Sequence, residues 1–243
     1  PVIDEAKLPQ HMYAMLAATA GVTSVSVAGD TVDALPVMIP STKSVFGEAH
    51  YSFTLAPTLG FDHAEATGAA LPANYELAAW APDALLGPAW PAIYAALGSA
   101  IHNDYPVIEG LLNAVHLDHS ITLEYTPEQM LERGITTIDV TSHVAAVDES
   151  SSGRIVTVAL ELKANGEHVG STQERFAIRG RATGNRTPSE AAPFGGAKVE
   201  VVDTPRSVLR RVSVKAPDDM TPFAIVSGDY NPIHTSYAAA KVA

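Results

Sequence analysis

The clearest alternation of apolar and polar positions in the chain is Val156, Val158, Leu160 and Leu162, a period-2 run that predicts a strand with one buried face. Asn165-Gly166 follows, the dipeptide of a two-residue hairpin turn, and Phe176 and Ile178 fall on the predicted return strand. Upstream, Ile121, Leu123 and Tyr125 alternate, and Ile138, Val140 and Val144 share a face of another strand. Before these strands the period changes. Trp90, Ile93, Tyr94, Leu97 and Ile101 recur at helical spacing, and a second stripe at Ile108, Leu111, Leu112 and Val115 places residues 107–117 in or near a central helix. Helices followed by a run of antiparallel strands predict an α+β fold, with one helix wrapped by a curved sheet.

The flanks are less regular. Residues 9–20 are rich in Ala and Met and predict a helix, residues 22–60 read as short strands and loops, and residues 74–80 as a strand. A Gly-, Pro-, Ser- and Ala-rich stretch at 183–197 reads as a linker. After it the pattern predicts a strand at 207–215 and a helix from near Asp218, with Asp218 as N-cap and Met220, Phe223 and Ala224 turned inward. The chain therefore divides into an N-terminal linker or packing segment (1–71), a first module (72–182), the linker (183–197) and the start of a second module (198–243).

Composition narrows the class. The 243 residues are 47% hydrophobic, enough for a sizeable core, yet no apolar run reaches the ~18 residues of a membrane span. Cysteine is absent, which removes disulfides, thiol catalysis and zinc–thiolate sites, and no signal peptide opens the chain; a cytoplasmic setting is expected. A net charge of −12 argues against nonspecific nucleic-acid binding. The charge is uneven: residues 1–132 hold only Lys7 and Lys43 as cations, whereas nine arginines lie from Arg133 onward. That asymmetry reads first as ordinary solvated surface, and second as a less acidic face for an anionic partner.

Chemistry concentrates near the C-terminal end, in Ser227-Gly228-Asp229-Tyr230-Asn231-Pro232-Ile233-His234. Gly228 frees the backbone, Asn231 suits a turn and Pro232 the first position of a new helix, so the string reads as helix, tight turn, helix start. Such a turn aims Asp229 and His234 into one cleft, an acid/base pair suited to adding or removing water. The plain alternative is a turn carboxylate beside a helix-start imidazole. A second group, His116, Asp118 and His119, is split by strand parity: His116 and Asp118 share one face and His119 takes the other. The sharp reading of these residues is a metal site; the weightier one is core or surface side chains beside a strand start, and no metal site is assigned. His102-Asn103-Asp104 reads as a helix end and turn.

The string resembles the hydratase-2 motif of the MaoC-like hot-dog family, whose members are (R)-specific enoyl-thioester hydratases and 3-hydroxyacyl-thioester dehydratases. Residues 81–91, 107–119 and 174–181 are in addition similar to the dehydratase region of bacterial type I fatty acid synthases. The resemblance implies one complete hot-dog module that is catalytically silent, followed by the start of a truncated catalytic one. It implies Asp229 and His234 as the proton-transfer groups and Asn231 as the residue orienting water or hydroxyl, with Gly228, Pro232 and Gly110 near the substrate pocket. The implied reaction removes water from a (3R)-hydroxyacyl thioester to give a trans-2-enoyl thioester. No cofactor is implied in this segment; the substrate would ride on the phosphopantetheine of an acyl carrier protein. The implied partners are that carrier and the other domains of the parent synthase in a large homo-oligomer, with neither nucleic acid nor membrane involved. Pro1 is not a Met and the chain stops within an Ala-rich run, so the expectation is a piece of a larger multienzyme, inactive by itself for want of the later oxyanion donor. The alternatives are a free-standing (R)-specific enoyl-CoA hydratase, a non-catalytic structural or acyl-binding unit, and, less well matched, a hot-dog thioesterase.

Overall fold

A helix that is apolar all round must be surrounded, and the segment 86–99 dictates the architecture accordingly. The structure is a computed structural model that describes residues 24–27, 30–33, 47–68, 81–102, 105–108, 114–150, 153–179, 207–208, 211–213, 215–229, 234, 236 and 237. In chain order the elements are β1 (Ser24–Val27), β2 (Asp30–Asp33), β3 (Ala49–Thr54), α1 (Leu59–Ala66), a 3₁₀ turn (Pro82–Leu85) running into α2 (Leu86–Ser99), β4 (Ile101–His102), β5 (Tyr105–Pro106), β6 (Ala114–Leu123), α3 (Pro127–Glu132), β7 (Thr137–Ser150), β8 (Gly153–Ala164), β9 (Glu167–Arg179) and α4 (Thr221–Ser227).

Five strands form one antiparallel sheet in the order β3-β7-β8-β9-β6, while β1-β2 and β4-β5 are small separate pairs. Eleven of the fourteen residues of α2 are buried. Its Ile93 and Leu97 join Tyr51 and Phe53 of β3, Ile138 and Val140 of β7, Val156, Val158, Leu160 and Leu162 of β8, and Phe176 and Ile178 of β9 in a single core. Two buried hydroxyls are bonded: Ser142 Oγ donates to the Ala92 carbonyl at 2.6 Å, tying the sheet to the helix, and Ser99 Oγ donates to the Ala95 carbonyl at 2.6 Å. This is the hot-dog arrangement, a helix wrapped by a curved antiparallel sheet. Asn165 (φ 52°) and Gly166 (φ 83°) form the predicted hairpin turn between β8 and β9, because both central positions of that turn need positive φ. Among the described residues no helix is long and apolar enough to cross a membrane.

Several expectations are corrected. The central helix is α2, and residues 114–123, including Val115, belong to the edge strand β6 rather than to a helix. Helix α2 stops at Ser99, so Ile101 lies in β4. The sheet also starts earlier than residue 72: Ala49–Thr54 pairs with Thr137–Ser142, so part of the expected linker 1–71 is an integral strand. Ala49, Tyr51 and Phe53 are buried there and their neighbours exposed. None of the described residues of 207–215 lies in a strand. Helix α4 begins at Thr221 with Met220 at the N-cap; Asp219, not Asp218, accepts the Thr221 N–H at 2.9 Å, while Asp218 pairs with Lys215. Ala224 is buried and Met220 and Phe223 half-buried, in line with the predicted inward face. The expected helix at 9–20, strand at 74–80 and linker at 183–197, together with Gly110, lie outside the described residues.

The parity of β6 is corrected too. Its pairing with β9 slips between His116, opposite Phe176, and Asp118, opposite Arg175. Leu117 is the extra residue of a β-bulge, and an extra residue exchanges the faces beyond it. His119 therefore returns to the same side as His116, whereas Asp118 turns away and is held by Arg175, whose Nε lies 2.7 Å from Asp118 Oδ1 and whose Nη2 bonds the other oxygen.

Candidate active site

Helix α4 ends at Gly228, whose φ of 66° is the left-handed conformation that a helix stop favours. The backbone leaves the helix there and presents Asp229, whose own N–H donates to Ser227 Oγ at 3.2 Å. What fixes this turn in space is the N-terminal end of α2. Pro91 has no N–H to give the Gly87 carbonyl, which leaves that oxygen outside the helical ladder. Gly228 packs directly on it: a Cβ at position 228 would stand 2.5 Å from Gly87 O and 3.2 Å from Trp90 Cβ. A Cβ on Gly87 would in turn collide with the Val226 carbonyl. The two helices thus meet backbone to backbone through two glycines.

That approach sets the site. Asp229 Oδ2 lies 3.3 Å from His234 Nε2, and Oδ1 lies 3.4 Å from the hydroxyl of Tyr94, which donates to it from the buried helix α2. The Asp229 side chain is 17% exposed and that of His234 44%, so the carboxylate sits inside and the imidazole at the mouth. Tyr94 is itself 6% exposed. Burial raises the pKa of its hydroxyl well above the ordinary tyrosine range, the negative charge of Asp229 raises it further, and the Trp90 indole opposes in part. The phenol is consequently a neutral donor at every ordinary pH. Trp90 stands edge-on to Tyr94 at 5.5 Å between ring centres and closes that side of the site.

Of the residues singled out in the sequence, Asp229 and His234 are brought together, and Gly228 makes the turn that presents Asp229. Asn231, Pro232 and Gly110 lie outside the described residues. Tyr94, Trp90 and Gly87 were not singled out for the site. Tyr94 and Trp90 read as members of a helical stripe, and only their place next to α4 gives them a further part. A cavity of about 540 Å³ lies between α1 and α4, lined among others by Asp62, Glu65, Met220 and Phe223; neither Asp229 nor His234 borders it. The acid/base pair can move a proton on a group entering beside Tyr94 and Trp90, with the carboxylate held at one oxygen by the phenol and at the other by the imidazole.

Comparison with known proteins agrees with this fold. Residues 196–243 match the family model of the MaoC like domain. No curated protein sequence matches the chain. Among solved structures, the MaoC-like dehydratase from Phytophthora capsici superposes with a TM-score of 0.51 at 14% identity, over 80% of this chain and 66% of that one. HtdX from Mycobacterium tuberculosis gives 0.48 at 17% identity, over 79% and 67%. The full-length peroxisomal multifunctional enzyme type 2 from Drosophila melanogaster gives 0.46 at 15% identity, over 81% and 33%. The chain thus spans just under two thirds of the first of these proteins and a third of the last.

Proposed function

We propose that this chain, a MaoC-like protein with the hot-dog fold, carries the proton-transfer pair of a hydro-lyase acting on 3-hydroxyacyl and trans-2-enoyl thioesters. The observation that carries the proposal is the Asp229–His234 contact at 3.3 Å, with the carboxylate sheltered and braced by Tyr94. In the dehydration direction the C2–H bond breaks and a base takes the proton. The electron pair forms the C2=C3 double bond, the C3–O bond breaks, and the departing hydroxyl takes a proton and leaves as water. The thioester carbonyl makes C2–H acidic by drawing charge towards its oxygen, so the pair needs to act only at C2 and at the C3 hydroxyl. Asp229 and His234 share these two jobs. Tyr94 keeps its proton and serves by fixing one carboxylate oxygen, which leaves the other directed at His234.

The finer part of the proposal is that the chain belongs to the dehydratase region of a type I fatty acid synthase, cytoplasmic and multimeric, and receives a (3R)-hydroxyacyl group on the phosphopantetheine of an acyl carrier protein. Its support is the sequence similarity over residues 81–91, 107–119 and 174–181. The nearest competitor is a free-standing (R)-specific enoyl-CoA hydratase, which would prefer the CoA thioester to the carrier thioester.

The test is hydration of a short trans-2-enoyl thioester, followed by loss of the enoyl absorbance, in a polypeptide containing this chain. Asp229→Asn and His234→Ala should each lower turnover by about 10²–10⁴-fold. Turnover near the parent level in either variant sinks the assignment of that residue. If neither substitution changes turnover while the acyl thioester still binds, the chain is an acyl-binding unit instead.

A further inference from the structure

The bulge at Leu117 gathers a second constellation outside the proton-transfer pair. Beyond it, His119 pairs with Glu174, one step along from His116 opposite Phe176. The imidazoles of His116 and His119 stack face to face, 5.9 Å between centres and 6° from parallel. Both lie over Glu174, whose side chain is fully buried on β9. Glu174 Oε1 accepts the Thr172 hydroxyl at 2.5 Å, and Oε2 lies 2.9 Å from His116 Nε2. One donor atom from each of His116, His119 and Glu174 lies within 4.8 Å of the others.

We propose that His116, His119 and Glu174 form a binding site for a divalent transition-metal ion, with Zn²⁺ the preferred occupant and water in the remaining position. A carboxylate held out of water calls for a cation, and the guanidinium nearest in sequence, Arg175, faces the other side of the sheet in its pair with Asp118. Two imidazole nitrogens and one carboxylate oxygen are a donor set that suits zinc and its neighbours, and not calcium or magnesium, which prefer oxygen alone. Bond lengths of about 2.0–2.2 Å in a tetrahedron put ligand atoms roughly 3.3 Å apart. The three donor atoms span up to 4.8 Å, so the two imidazoles would need to turn inward to reach that spacing, with Glu174 held in place. The surroundings are those of a built site. Thr172 orients the carboxylate from behind, and Trp90 and Phe176 wall the His116 ring at 5.6 and 5.1 Å. The His116 side chain remains 35% exposed, which leaves an approach for water at the fourth position. Bound there, the ion would cross-link the edge strand β6 to β9 at the point where the bulge weakens their ladder.

The experiment is titration of the metal-free protein with Co²⁺ and Zn²⁺, with Mg²⁺ as the control ion. The expected result is one Co²⁺ per chain, with the intense visible absorption of a four- or five-coordinate ion, displaced by Zn²⁺ and untouched by Mg²⁺. His119→Ala, at an exposed position that the core does not need, should abolish that spectrum. Thr172→Val, which removes only the hydroxyl behind Glu174, should weaken binding by about 10–100-fold. His168→Ala, an exposed histidine elsewhere on the sheet, should change nothing. Circular dichroism checks that each variant is folded. Absence of the Co²⁺ spectrum in the parent protein, or a spectrum and affinity unchanged in folded His119→Ala, overturns the proposal. Neither result bears on Asp229 or His234, so the hydro-lyase reading stands or falls separately.

Discussion

Gly87 and Gly228 lie back to back: a Cβ on either would run into the backbone of the other's helix, and Gly228 sits on the Gly87 carbonyl, to which Pro91 has no N–H to give. Gly228→Ala is therefore expected to act twice. The left-handed backbone costs a residue with a Cβ about 1–2 kcal/mol, and the added methyl must push the Asp229 turn off α2. Turnover should fall while the sheet, which does not touch this contact, keeps its far-ultraviolet signature. Gly87→Ala should reproduce the loss from the opposite side. Full activity in both variants would mean that this approach does not position Asp229.

Tyr94→Phe isolates the hydroxyl from the ring. A hydrogen bond to a charged group is worth about 1.5–3 kcal/mol, so the expected outcome is a loss of turnover of about 10-fold or more with little change in the Michaelis constant. The variant should also change the response to alkali. The folded-state pKa of Tyr94 is raised above its unfolded value of 10.0. Its contribution to stability is thus complete below that pH and is lost as the pH climbs above it, where the unfolded chain ionises first. Urea unfolding across that range should show a steeper alkaline decline in the parent than in Tyr94→Phe.

The two groups of the pair should not behave independently. Asp229→Asn and His234→Ala each interrupt one proton-transfer unit, so the double variant is expected to be little worse than the poorer single variant, far from the product of the two losses. Each loss should fall on turnover more than on the Michaelis constant if, as proposed, both groups act on protons in flight. Kinetics of the three variants check this.

Substitution in the middle of α2 should report packing. Leu97 is fully buried, and Leu97→Ala is expected to cost about 2–5 kcal/mol in unfolding free energy. Thermal or urea unfolding measures it. Any change in turnover should scale with the lost stability or appear as an altered acyl-length preference, since Leu97 is a member of the core cluster.

Elements built on uninterrupted periodicity were legible in the sequence: the β8–β9 hairpin from Val156, Val158, Leu160, Leu162 and Asn165-Gly166, and the helix from Trp90, Ile93, Tyr94 and Leu97. The alternation of Ala49, Tyr51 and Phe53 was equally present, but six residues inside a mixed stretch gave it no weight, and its partner β7 lies some ninety residues further on. Period counting failed at β6 for a local reason, because one extra residue at Leu117 reversed which histidine faces which way. In the site, the spacing of Asp229 and His234 could be read from their own segment. Tyr94 could not, since it arrives from a different helix and its fitness depends on burial and on the charge it meets there.

Helix α4 has consequences for heat. It is seven residues long and buries only Ala224, while the β7-β8-β9 ladders and α2 hold the rest of the core. Local opening of so short an element needs far less free energy than global unfolding. Asp229 leaves with it, whereas Tyr94 stays behind in the core. Inactivation on warming should then precede the calorimetric transition, and a thioester that bridges Asp229 and Tyr94 should bring the two temperatures together. The protein would lose its chemistry as one short helix loosens, well before it loses its shape.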